Sequence, residues 1–194
     1  MKIFSFSNLV LFVRLIFSPL MLPFLIVYLL PYNILWINGL LAFIFVILSV
    51  ADFFDVFLFR KLQQKVSITK LLTLMAGKFL SYSALVALLV VNKIFFYWVI
   101  VIILSGFFVM GLRMIALENN FSINISFLER LGNILQMIYL TVIILNPYQS
   151  LGLKNIFNQV QLGLLVVVIA LTLIISQKSL RLFLLQMNAK EQQS

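Results

Sequence analysis

The residues best suited to chemistry in this 194-residue chain are two aspartates in the stretch SVADFFDVFLFRK. Asp52 and Asp55 are three positions apart, a spacing that puts both carboxylates on one face of a helix. Carboxylates are costly to bury near lipid, so each requires a cation, a metal ion or a water-filled cavity. Arg60, Lys78 and Arg113 are the cations expected at a similar depth. The cluster therefore indicates a functional site, with structural ion pairing as the alternative.

The rest of the composition narrows the possible chemistry. The chain has no cysteine and no histidine, which excludes a disulfide framework, a thiolate metal site and an imidazole base. Acid–base chemistry is left to five carboxylates, the lysines and the tyrosines. The net charge of +9 is attributed to membrane topology and to binding of anionic lipid headgroups, and no nucleic-acid partner is expected.

The elements that must position these residues are membrane-spanning helices. Hydrophobic residues make up 64% of the chain, its mean hydropathy is +1.19, and a soluble domain of this length cannot bury so much apolar surface. We therefore predict an all-α integral membrane protein in which residues 1–194 form a single transmembrane domain. Six spans are expected at residues 9–30, 35–59, 70–91, 94–117, 131–147 and 160–177.

The distribution of charge predicts the orientation of these spans. With the N-terminus inside, 12 basic residues fall on the cytoplasmic side and only Lys93 and Lys154 fall outside. This bias favours an even number of spans with both termini cytoplasmic. Residues 178–194 continue as an amphipathic segment that ends in a polar cytoplasmic tail. This segment could lie on the inner membrane surface or contact a partner protein. The alternative is the end of a membrane-spanning helix whose cationic side chains extend to the membrane–water interface.

The aspartate cluster resembles part of a known family motif. The CDP-alcohol phosphatidyltransferases carry the pattern D-x2-D-G-x2-A-R-x8-G-x3-D-x3-D across their second and third spans. Asp52, Asp55 and Arg60 match the first two aspartates and the arginine. The other five positions of the motif are changed, and they are Val56, Phe59, Thr69, Thr73 and Gly77.

The flanking sequence resembles bacterial phosphatidylglycerophosphate synthases in particular. SNLVLFVRLIFSPLMLPF is similar to their PN-x-LT-x-x-R-x-x-x-x-P segment, and MGLRMIALENNFSINISFLERLGNILQ is similar to their TGLR…G…LGKIKT region. The likeness extends from residue 8 to about residue 145. It implies a six-helix bundle of the CDP-alcohol phosphatidyltransferase type in a bacterial cytoplasmic membrane.

The resemblance also implies what the changed positions have lost. In the family, four aspartates hold two divalent cations against the diphosphate of a CDP-lipid, and the last is thought to deprotonate the acceptor hydroxyl. Thr73 and Gly77 occupy the positions of the third and fourth aspartates. Two carboxylates do not balance two Mg²⁺ ions, and Gly77 has no side chain to act as a base. We therefore expect no metal site, no cofactor and no catalytic residue.

The acceptor-phosphate pocket of the family is changed as well. Its arginine aligns with Ser105, followed by Gly106 in place of a glutamate, and its two lysines align with Asn133 and Leu135. Arg113 persists. Residual binding of a lipid phosphate, without catalysis, is expected at Arg14, Arg60, Lys78 and Arg113.

The leading hypothesis is a catalytically inactive family member that serves as a membrane subunit. Its partners would be membrane lipids and another membrane or membrane-associated protein, such as an active paralogue, a membrane-bound enzyme or an exporter. The resemblance also suggests a homodimer. The first alternative is a divergent active phosphatidyltransferase using CDP-diacylglycerol and glycerol phosphate. The second alternative is a lipid- or ion-handling membrane protein.

Small residues in the third span suggest close helix packing. The small residues that let this span approach a neighbour closely are Ala76, Gly77, Ser81, Ser83, Ala84 and Ala87. Gly106 and Gly111 do the same on the fourth span. The pattern favours packing within the chain, with a subunit interface as the alternative.

Overall fold

The regular structure of the described residues is entirely helical. A computed structural model describes the backbone of residues 19–32, 34–61, 67–119, 127–145 and 154–191. Side chains are described for residues 19–32, 34–50, 77–116, 118–119, 127–145 and 157–188. The helices are α1 (described over 19–29 and ending in the 3₁₀ turn Leu30–Tyr32), α2 (Leu35–Lys61), α3 (Ser67–Val90), α4 (Phe96–Glu118), α5 (Phe127–Leu145) and α6 (Lys154–Glu191).

The six helices lie where the sequence predicts spans. The ends of α2 to α5 differ from the predicted ends by a few residues. Residues 9–18 of the first predicted span and 146–147 of the fifth lie outside the described residues. The last helix is much longer than its predicted span of 160–177, because α6 continues without interruption to Glu191. No proline or glycine follows Gly163 in this helix to end it earlier.

Three helical stretches among the described residues are long and apolar enough to cross a membrane. They are Phe96–Ala116, Phe127–Leu145 and Phe157–Asn188. The apolar stretches found in the first three helices, Pro19–Tyr32, Leu35–Val50 and Gly77–Val90, are shorter. The prediction of an all-helical protein with transmembrane helices is confirmed, whereas the count of six spans and the position of the termini stay predictions.

The helices pack around one apolar core. In the described part of the chain, α2 packs on α3 and α5, α3 also packs on α4 and α5, and α6 packs on α4 and α5. These contacts close a ring in the order α2, α3, α4, α6, α5, with α3 and α5 meeting across it. Phe45, Leu85, Leu140 and Val168 are fully buried inside the ring. The outward faces carry large exposed apolar side chains, as expected where lipid is the solvent.

The two ends of the bundle differ in composition. Short connections make successive helices antiparallel, so the end of α1 and the starts of α2 and α4 lie at one end of the bundle. Exposed tyrosines and tryptophans cluster there, namely Tyr28, Tyr32, Trp36, Tyr97 and Trp98. Such side chains are enriched where a membrane meets water. The motif segment of α2 and the start of α3 lie at the opposite end.

Asn92 ends α3, as the predicted turn at Asn92-Lys93 requires. Its φ of 58° is left-handed. The Asn92 amide donates to the Leu89 carbonyl and the Lys93 amide donates to the Leu88 carbonyl, each at 2.9 Å. This is the hydrogen-bond pattern of a Schellman motif, in which glycine or asparagine takes the left-handed position.

The effect of an Asn92 substitution on stability should therefore depend on whether the new residue tolerates the left-handed backbone, and not on contacts of its side chain. We expect Asn92→Val to lower the free energy of unfolding by about 1–2 kcal/mol, because a left-handed conformation is costly for a β-branched side chain and is tolerated by asparagine. Asn92→Gly should leave stability unchanged or slightly raised. Thermal unfolding in detergent measures both, and equal midpoints for the two variants would contradict the assignment.

Candidate functional site

A small cavity lined by both polar and apolar side chains lies among α3, α4, α5 and α6 towards the motif end of the bundle. Its volume is about 20 Å³, enough for one or two water molecules and far below the roughly 300–1,000 Å³ of typical ligand pockets. The lining residues are Lys78, Ile102, Ser105, Gly106, Val109, Met110, Arg113, Glu129, Gly132, Asn133, Gln136, Thr172 and Ile175. Polar side chains from four helices therefore meet inside an apolar bundle.

An ion pair between α4 and α5 forms one wall of the cavity. Arg113 Nη2 donates to Glu129 Oε2. The two side chains are 12% and 5% exposed, so each charge is largely withdrawn from water. Buried charges require an opposite charge nearby, and breaking such a pair leaves one of them uncompensated. The pair therefore fixes the last turns of α4 against the first turn of α5.

Lys78 contributes a second positive charge to the cavity from α3. Its Nζ lies 5.9 Å from the centroid of the Tyr82 ring, one helical turn further along. This distance allows a cation–π interaction with the tyrosine face. Lys78 and Arg113, both predicted as site cations, are thus brought together around Glu129.

Tyr82 occupies the space beside Gly106. A Cβ added at Gly106 would lie 1.4 Å from the Tyr82 hydroxyl oxygen and 2.7 Å from Cζ. The Tyr82 ring also packs at a tilt against Phe107, with 5.6 Å between the ring centroids. Because the two positions cannot both hold a side chain here, the absence of a side chain at residue 106 is what admits Tyr82.

Two buried polar atoms near the cavity have no hydrogen-bond partner among the described residues. They are the Tyr82 hydroxyl oxygen and Gln136 Nε2. Gln136 is 2% exposed and lines the cavity, whereas the Tyr82 hydroxyl packs on Gly106, which lines it. An unsatisfied buried polar group costs roughly 1–3 kcal/mol, so each of these atoms calls for a ligand or a water molecule.

The motif residues predicted from sequence fall on two packed helices. Asp52, Asp55, Val56, Phe59 and Arg60 lie in the last turns of α2, while Thr69, Thr73 and Gly77 lie in the first half of α3. The two helices contact each other. The side chains of residues 51–76 are outside the described set, and Arg14 lies outside the described residues altogether.

The positions aligned with the acceptor pocket separate into two groups. Ser105, Arg113 and Asn133 line the cavity, whereas Leu135 packs against the apolar core. Three further residues complete the site, namely Glu129, Tyr82 and Gln136. None of them is predicted as a site residue from the sequence. The available signals were a carboxylate at the start of an apolar helix and a glutamine inside it.

A family model for the CDP-alcohol phosphatidyltransferases matches residues 4–176. This match covers every residue that lines the cavity and the motif segment of α2, and it ends within α6. A comparison with individual curated proteins found no match. Since the family model spans most of the 194 residues, the chain belongs to the CDP-alcohol phosphatidyltransferase family.

Proposed function

We propose that this chain is a catalytically inactive member of its family and serves as a membrane subunit for another protein. The observation that carries the proposal is that the chain's own side chains fill the region aligned with the acceptor-phosphate pocket. Glu129 pairs with Arg113 there, and Tyr82 lies against Gly106. Among the described side chains the space left is about 20 Å³, which is too small for a phosphate group and its alcohol.

The metal-binding positions support the same proposal. The resemblance to phosphatidylglycerophosphate synthases leaves Asp52 and Asp55 as the only carboxylates of a four-aspartate motif. Gly77 stands at the position of the proposed base, and its backbone carbonyl accepts a hydrogen bond from the Ser81 hydroxyl at 3.1 Å. These residues do not fit a site for two Mg²⁺ ions, since hard dications require several oxygen ligands and charge balance. We propose that the chain holds no catalytic metal.

The proposed setting is a bacterial cytoplasmic membrane crossed by all six helices, with both termini cytoplasmic. Support comes from the lengths of α2 and α3, which have 27 and 24 residues. Roughly 20 residues suffice to cross the hydrocarbon core. The aromatic side chains at one end of the bundle and the cations Lys78, Arg113, Arg130 and Lys178 towards the other are consistent with this orientation.

The proposed partners are membrane lipids and a membrane or membrane-associated protein, with a homodimer as a further possibility. Lys78 and Arg113 line the small cavity, and Arg113 is already paired with Glu129. A lipid phosphate held at this end of the bundle would therefore depend on Arg14 and Arg60. Loss of phospholipid from the purified Arg14→Gln/Arg60→Gln variant, measured by mass spectrometry, tests this part of the proposal.

The direct test of inactivity is release of CMP. The purified full chain, given CDP-diacylglycerol, glycerol phosphate and Mg²⁺ in mild detergent, should release no CMP above the protein-free background. An active family member prepared in the same detergent is the control for substrate delivery. Turnover that requires Mg²⁺ would overturn the proposal.

The alternative of a divergent active enzyme rests on Asp52 and Asp55, which remain one helical turn apart on α2. One cation held by the pair, with Arg60 near the diphosphate, is the minimal arrangement for it. Asp52→Ala and Asp55→Ala separate the two functions, because an active enzyme would lose turnover whereas a subunit would keep its partner. The partner itself is sought by affinity purification in mild detergent, where recovery of the chain alone would argue against a subunit role.

A further inference from the structure

No further inference is drawn: the strongest candidate, the apolar outward face of α6 with the exposed side chains of Val166, Leu173, Leu180 and Leu184, carries none, because nothing in the structure shows whether lipid, a second copy of the chain or another protein covers it.

Discussion

Replacement of Gly106 by alanine should lower the free energy of unfolding by at least about 1–3 kcal/mol, the usual cost of inserting a methyl group into a packed core. The added Cβ would lie 1.4 Å from the Tyr82 hydroxyl oxygen and 2.7 Å from Cζ. Contacts this short require the ring to move. The ring is held between Lys78 and Phe107, so its displacement should disturb the contact between α3 and α4. Thermal or chemical unfolding in detergent gives the measurement.

The control for Gly106→Ala is a second glycine of the same helix. Nothing lies within 4 Å of a Cβ added at Gly111, so Gly111→Ala should be neutral or stabilising by up to about 1 kcal/mol through helix propensity. Tyr82→Leu should rescue Gly106→Ala, because the shorter side chain does not reach residue 106. The double variant should then be more stable than the sum of the two single effects predicts. Additive losses would show that Tyr82 and residue 106 do not compete for this space.

The sequence predicted the helices well because the signals for them are local. Apolar runs of about 20 residues identify spans, and Asn92 marks a turn that its left-handed φ of 58° confirms. The continuation of α6 beyond its predicted span has the same origin. Gln177, Lys178 and Ser179 mark the end of the apolar run, but hydropathy locates the edge of the membrane and not the end of the helix. Nothing in these residues prevents the helix from continuing to Glu191.

The small residues of α3 illustrate what composition decides and what it leaves open. Ser81, Ala84 and Ala87 are buried in the bundle, and Gly77 and Ser83 are half-buried. This agrees with packing within the chain, the favoured interpretation of the pattern. Composition does not specify which neighbour they contact. The structure shows α3 packed on α2, α4 and α5, and that choice depends on how all the helices are rotated about their axes.

The site was predictable only in part, because its decisive contacts join residues far apart in sequence. Lys78 and Arg113 were expected near each other from their depth in the membrane. The sequence does not indicate that Arg113 pairs with Glu129, because Glu129 lies 16 residues further on, at the start of another helix. The contact between Tyr82 and Gly106 crosses from α3 to α4. A glycine in a span is most simply explained by helix packing, and its sequence context does not indicate that a tyrosine of another helix fills the space.

Replacement of Glu129 by alanine should be the most destabilising single change in the cavity, at about 3–5 kcal/mol. The cost does not come from the lost attraction alone. Arg113 is 12% exposed, so its charge would remain largely buried in the cavity that Lys78 also lines. Two like charges would then face each other in an apolar bundle. A lower thermal midpoint in detergent and a lower yield of folded protein are the expected results.

Two comparisons determine whether loss of the buried ion pair causes the instability expected of Glu129→Ala. Glu118→Ala removes an exposed carboxylate at the end of α4 and should change stability by less than about 0.5 kcal/mol. The double replacement Arg113→Met/Glu129→Leu removes both charges together and should recover most of the loss, because an apolar pair of similar size needs no compensation. If Glu129→Ala is no worse than Glu118→Ala, the pair does not hold α4 to α5. If the double variant stays as unstable as Glu129→Ala, the loss comes from packing at residue 129 and not from the charge left on Arg113.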